Sequence, residues 1–156
     1  RVWSNLGTAL GNRGLNSRAA EAFAKAIALD PQNVQAHYNL VKIEMRLGRY
    51  REAIALAATA LRIDPEAFAL HQLTAESHIH LREFDRAIPS LQSALALRPN
   101  ERWTHLALAE ICVETQRYAQ ARHHCEIARS LGVSGGDEQN WLRNVEKLIP
   151  PGSAAR

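Results

Sequence analysis

The stretch IALDPQN (residues 27–33) stops an alanine-rich apolar run abruptly at Asp-Pro, and LRIDPEA (residues 61–67) and LALRPNE (residues 95–101) do the same further along. Pro31, Pro65 and Pro99 are spaced by 34 residues each. A fixed period of this size is the mark of a repeat architecture. Other series keep the beat: Ala19, Ala53, Ala87 and Ala121; Ala26, Ala60, Ala94 and Ala128; and His37, His71 and His105. Three phases held at once are more than an alanine-rich composition produces by itself.

Each 34-residue block divides into two amphipathic segments. In the second block, helix A is expected from about residue 33 to residue 47, with Leu40, Val41 and Glu44 following His37 at spacings of three to four. Gly48 then supplies a residue that takes a left-handed turn cheaply. Helix B opens at Tyr50 and carries the small stripe Ala53, Ala57 and Ala60, which lets paired helices approach closely. Asp64-Pro65 ends it, because the residue before proline is pushed out of the helical region, while proline itself suits the start of the next helix. "DP" is therefore the joint between two helical hairpins.

The first block reads Trp3, Leu6, Gly7, Leu10, Gly14, Ala19, Phe23, Ala26, Pro31. This resembles the tetratricopeptide repeat signature W-x2-L-G-x2-Y…A-x3-F…A…P, with Leu10 in the tyrosine slot. Later blocks match at His37, Leu40, Val41, Ala53, Ala57, Ala60, Pro65, then at His71, Thr74, Ala75, His78, Ala87, Leu91, Ala94, Pro99, then at His105, Leu108, Ala109, Cys112, Ala121, Cys125, Ala128. Val133 stands where the last proline would fall. The resemblance implies an all-α, right-handed α-solenoid of four helix-turn-helix repeats (about 1–32, 33–66, 67–100 and 101–133). The segment SGG (residues 134–136) is expected as a loop, Asp137 and Glu138 suit a helix N-terminus, and residues 137–149 form a C-terminal capping helix through Trp141, Leu142, Val145, Leu148 and Ile149. Residues 150–156 read as a disordered tail or linker. The first block has no equivalent cap, so the chain is expected to be an excised or processed segment, and an open first hairpin offers a second copy a stacking surface.

Three departures from the pattern carry expectations. Arg82 and Gln116 replace glycine at the turn between helices A and B, at a cost of about 1 kcal/mol if the left-handed geometry is kept. Pro89 falls some five residues into a helix B, where a late helix start or a lost hydrogen bond is expected.

The net charge of +3 and a pI near 9.2 are modest and spread along the chain, without the basic stripe of a nucleic-acid binder. No apolar run reaches the length of a membrane span, so neither nucleic acid nor membrane insertion is expected. Gly7, Gly11 and Gly14 fit neither GxGxxG nor GxxxxGK[ST]. The repeat-phased histidines would sit about 8–10 Å apart on successive helices, too far to share an ion. Cys112 and Cys125 are expected as buried small residues on helices that pack together, with a disulfide between them open under oxidising conditions. No Ser-His-Asp set or paired-carboxylate cleft is readable. No cofactor, metal or catalytic residue is assigned, and this segment is not expected to be an enzyme.

By resemblance, the A helices line a concave groove for a protein or peptide ligand. The candidate partner-binding residues are Tyr38, Lys42, Met45 and Arg46 in the second block, Gln72, Glu76, Ile79 and His80 in the third, and Trp103, Leu106, Glu110 and Glu114 in the fourth. Aromatic and Met side chains among charges have the composition of a recognition surface. Family members that clamp a chaperone C-terminus use Lys and Asn, then Asn, then Lys and Arg. The matching positions here are Ser4, Thr8, Asn39, Ala69 and Leu73, of which only Asn39 fits, so that carboxylate clamp is not expected. The implied function is a protein–protein interaction scaffold or adaptor. The alternatives are an accessory domain of a larger enzyme, positioning substrate or mediating assembly, and a self-associating module.

Overall fold

The computed structural model describes residues 1–132 and 136–151, without the side chains of residues 137 and 138. The expectations for Val133, for the first two residues of SGG, for the Asp137 and Glu138 side chains and for the tail beyond residue 151 lie outside the described residues. Among those described there are nine α-helices and no strand. They are α1 (Val2–Asn12), α2 (Asn16–Leu29), α3 (Val34–Arg46), α4 (Tyr50–Ile63), α5 (Phe68–His80), α6 (Phe84–Leu97), α7 (Arg102–Glu114), α8 (Tyr118–Ser130) and α9 (Gly136–Leu148). The chain divides into two units, Arg1–Leu97 with α1 to α6 and Arg98–Arg156 with α7 to α9.

In the first unit each helix packs on the next along the chain, and α1 also touches α3, as α3 touches α5. The alanine series explains how. Ala19, Ala53 and Ala87 are completely buried, as are Ala60 and Ala94. With only a methyl at each closest approach, the larger side chains fill the spaces on either side. Phe23, Leu10, Leu40 and Ile43 build one core among α1, α2 and α3. Val41 and Leu70 close over Ala53, Ala57 and Ala60 to form the next.

The joints follow the same logic. Asp30 and Asp64, each before a proline, are extended at φ −143°, ψ 86° and φ −132°, ψ 93°. Asn33 caps α3 by accepting from the Ala36 N–H at 2.9 Å. Between hairpin partners, the same pair of hydrogen bonds recurs four times. Leu15, Arg49, Glu83 and Arg117 donate N–H bonds to the carbonyls of Leu10, Glu44, His78 and Cys112, while Gly14, Gly48, Arg82 and Gln116 donate to Gly11, Met45, Ile79 and Val113. This is the Schellman arrangement, and it needs a positive φ at its pivot. Gly14 and Gly48 supply it at 75° and 74°, and Arg82 and Gln116 are forced into it at 56° and 60°.

Pro89 does not delay its helix: α6 begins at Phe84 and runs through the proline to Leu97. The early position explains this, since Ala87 already bonds back to the Glu83 carbonyl at 3.1 Å and the exposed proline ring sits just beyond that first turn. Proline has no N–H, so the bond it would have donated back to the first turn is still forfeited.

In the second unit α7 pairs with α8, and α9 packs on both. Leu142 and Val145 of α9 enter a core with Leu106, Ala109, Cys125 and Ala128, and Ile149 closes on Cys112 and Ala121. Both cysteines are buried, free thiols in different clusters. Burial pushes the Cys125 thiol up to about 11 and raises that of Cys112, so both are inert hydrophobes rather than nucleophiles.

Candidate partner-binding face

On α3, Asn39, Lys42, Ile43 and Arg46 share one face by their spacing of three to four residues. On α1, Gly7, Thr8, Gly11 and Asn12 do the same. Together with the Phe23 ring these two rows line a depression that is open to solvent. The glycines make room for it. A Cβ on Gly7 would stand 2.9 Å from the Phe23 ring, and one on Gly11 would stand 3.1 Å from Ile43 Cδ1 and 3.9 Å from Arg46 Nη1. Phe23 and Ile43, both buried, form an apolar floor, and the polar groups stand at its rim.

The charge balance of this depression is one-sided. Lys42 Nζ lies 5.3 Å from the centre of the Tyr38 ring, and Arg46 Nη1 makes a long 3.4 Å contact to the Gly11 carbonyl. Neither cation meets a carboxylate among the described residues, and no acidic residue lines the depression. Glu44, two residues from each of them and so turned to the other side of α3, is buried and paired with Arg49 at 3.3 Å. The Asn39 side-chain oxygen accepts from Gln35 Nε2 at 3.1 Å, which leaves its amide nitrogen as a donor.

The remaining sequence-predicted residues are placed less uniformly. Tyr38 and Met45 are half-buried and lean on the core of Val41 and Leu70. On α5, Gln72, Glu76 and Ile79 are half-buried. His80 is exposed but stacks on Tyr50 at 4.5 Å and lies 4.0 Å from Glu76. In the second unit, Trp103 and Glu110 are half-buried and Glu114 is exposed. Leu106 is not a surface residue: it is 6% exposed and belongs to the core with Cys125, Leu142 and Val145. It occupies the same repeat slot as Tyr38 and Gln72, but here α9 packs against α7 and covers it. Sequence reading missed the depression itself. Its only hint was two glycines four apart on α1, opposite Lys42 and Arg46 four apart on α3.

No group of three or more His, Cys, Asp or Glu side chains among the described residues could hold a metal ion. No described helix is long and apolar enough to cross a membrane.

Paired helices repeated every 34 residues define an all-α helical-repeat protein. Two family models, both described as tetratricopeptide repeat, match residues 4–68 and 78–129. The chain belongs to the tetratricopeptide repeat family. Among curated relatives, the peroxisomal targeting signal receptor of Kluyveromyces lactis is 42% identical over 52 residues, 33% of this chain and 9% of the receptor. Human superkiller complex protein 3 is 36% identical over 53 residues, 34% of this chain and 3% of that protein. The chain thus spans a small fraction of the curated relatives it matches. Among solved structures, MamA MSR-1 C2 is similar with a TM-score of 0.75 and 28% identity, covering 89% of this chain and 77% of that one. The first tetratricopeptide domain of Spaghetti (RPAP3), bound to the HSP90 peptide SRMEEVD, shares the fold at a TM-score of 0.70 and 18% identity, over 74% of this chain and 94% of that one.

Proposed function

We propose that the chain is an interaction scaffold or adaptor whose A-helix face binds an extended segment of a protein partner. The observation that carries this reading is the depression between α1 and α3, where Lys42 and Arg46 stand over an apolar floor with no carboxylate to neutralise them. The reading extends the face to Tyr38 and Met45 on α3 and to Gln72, Glu76, Ile79 and His80 on α5. In the second unit, Trp103, Glu110 and Glu114 on α7 are a separate candidate surface. The peptide held by the RPAP3 domain and the targeting signal in the receptor's name support a peptide as the ligand class.

The test is affinity capture with the wild-type chain beside the variant Tyr38→Ala/Arg46→Glu, both checked as helical by circular dichroism, with Trp103→Ala as a separate arm. A partner retained by the wild type and lost by the double variant supports the reading. Equal retention by both overturns it.

A second reading is self-association, favoured by the first hairpin, where Val2, Leu6 and Leu29 are 78%, 43% and 76% exposed. Sedimentation across a hundredfold concentration range, with and without Leu6→Glu, separates it from the first.

A further inference from the structure

We propose that the depression between α1 and α3 is the receptor for one glutamate side chain of the partner segment. The inference rests on the binding-face reading above and adds the chemistry that the site selects. Three donor-bearing side chains line it: Lys42, Arg46 and Asn39, whose oxygen is already engaged by Gln35. An ammonium and a guanidinium make charge-assisted bonds to a carboxylate, and the planar guanidinium can meet both of its oxygens. The existing ties are weak enough to yield, since Arg46 holds the Gly11 carbonyl only at 3.4 Å and Lys42 is held by a ring face at 5.3 Å. Beneath the donors lie the buried side chains of Phe23 and Ile43, whose edges the methylenes of a glutamate would meet. Gly11 matters because any side chain there enters the space between Ile43 and Arg46.

The site differs from the family's two-carboxylate clamp. Both cations come from one helix, α3, four residues apart, and of the clamp positions only Asn39 is used.

The experiment is a ¹H–¹⁵N titration of the whole chain with three small probes: N-acetyl-glutamate α-methylamide, its glutamine isostere, and N-acetylalanine, whose only carboxylate is terminal. The glutamate probe is expected to give saturable shifts at the Gly7 and Gly11 amides and the Asn39 side-chain amide. Lys42→Ala and Arg46→Ala are each expected to weaken it by about tenfold, the value of one charge-assisted bond. Gly11→Ala, which leaves every charge in place and favours helix, is expected to weaken it as well. An equal response to glutamine, an equal response to N-acetylalanine, or indifference to both cation variants would overturn the proposal. If the glutamate probe saturates but the partner ignores Tyr38→Ala/Arg46→Glu, the binding-face reading fails by itself. If the partner depends on that face but the probe does not saturate, the glutamate assignment fails by itself.

Discussion

The Nδ1 atoms of His105 and His124 lie 3.1 Å apart across the α7–α8 pair. His105 Nε2 stands 3.0 Å from the Pro99 carbonyl, which only accepts, so Nε2 carries the proton and Nδ1 is left an acceptor. His124 Nδ1–H must then be the donor. Burial, then His105, then His123, bring the His124 pKa from 6.5 down to about 4. The folded pKa is depressed, so the unfolded chain takes up the proton first. The stability tied to neutral His124 is complete above about pH 6.5 and is lost as the pH falls toward 4. Thermal midpoints measured between those limits should fall more steeply for the wild type than for His124→Asn.

The Pro99 contact recurs as a clasp: His37 Nε2 lies 3.1 Å from the Pro31 carbonyl and His71 Nε2 lies 2.9 Å from that of Pro65. Each clasp ties an A helix to the joint before it. They are not energetically equal, because His37 Nδ1 is buried without a partner. His71→Leu should cost about 1 kcal/mol, the net worth of one hydrogen bond. His37→Leu should cost less, since it also removes an orphaned acceptor. Urea unfolding of the two variants checks the order.

The four Schellman turns allow a direct exchange. Gln116 holds a φ of 60° where the equivalent positions in the first two hairpins are glycine. Gln116→Gly should stabilise the chain by up to about 1 kcal/mol, and Gly48→Ala should destabilise it by a similar amount. Chemical denaturation with an unchanged m-value reads both.

Leu106 separates a core role from a surface role. Beneath α9, Leu106→Ala should lower stability by about 2–5 kcal/mol, as a truncation within a packed core does. A cost below about 0.5 kcal/mol would return it to the surface class.

Legibility in the sequence followed the range of the interactions. The alanine stripes, the Asp-Pro joints and the left-handed pivots are local chemistry repeated in phase, so Ala53, Asp64 and Gln116 could be assigned from their neighbours. Pro89 is a local rule outweighed by context, because a helix packed along its length absorbs one lost bond near its start. Leu106 was misplaced because α9, outside the repeat, buries a slot that repetition alone leaves open. The depression was invisible for a related reason. It is made by Gly11 and Arg46, 35 residues apart, and no single helix pattern displays the pair.

The central claim is that a partner segment lies on the A-helix face. The most direct measurement is hydrogen–deuterium exchange on the chain with and without a peptide selected by display against it, paired with the peptide's Kd for the wild type and for Tyr38→Ala/Arg46→Glu. Protection confined to α1, α3 and α5, with the double variant weakening the peptide by about a hundredfold, is the predicted result. Protection on α2, α4 and α6 instead, at an unchanged Kd, would contradict it.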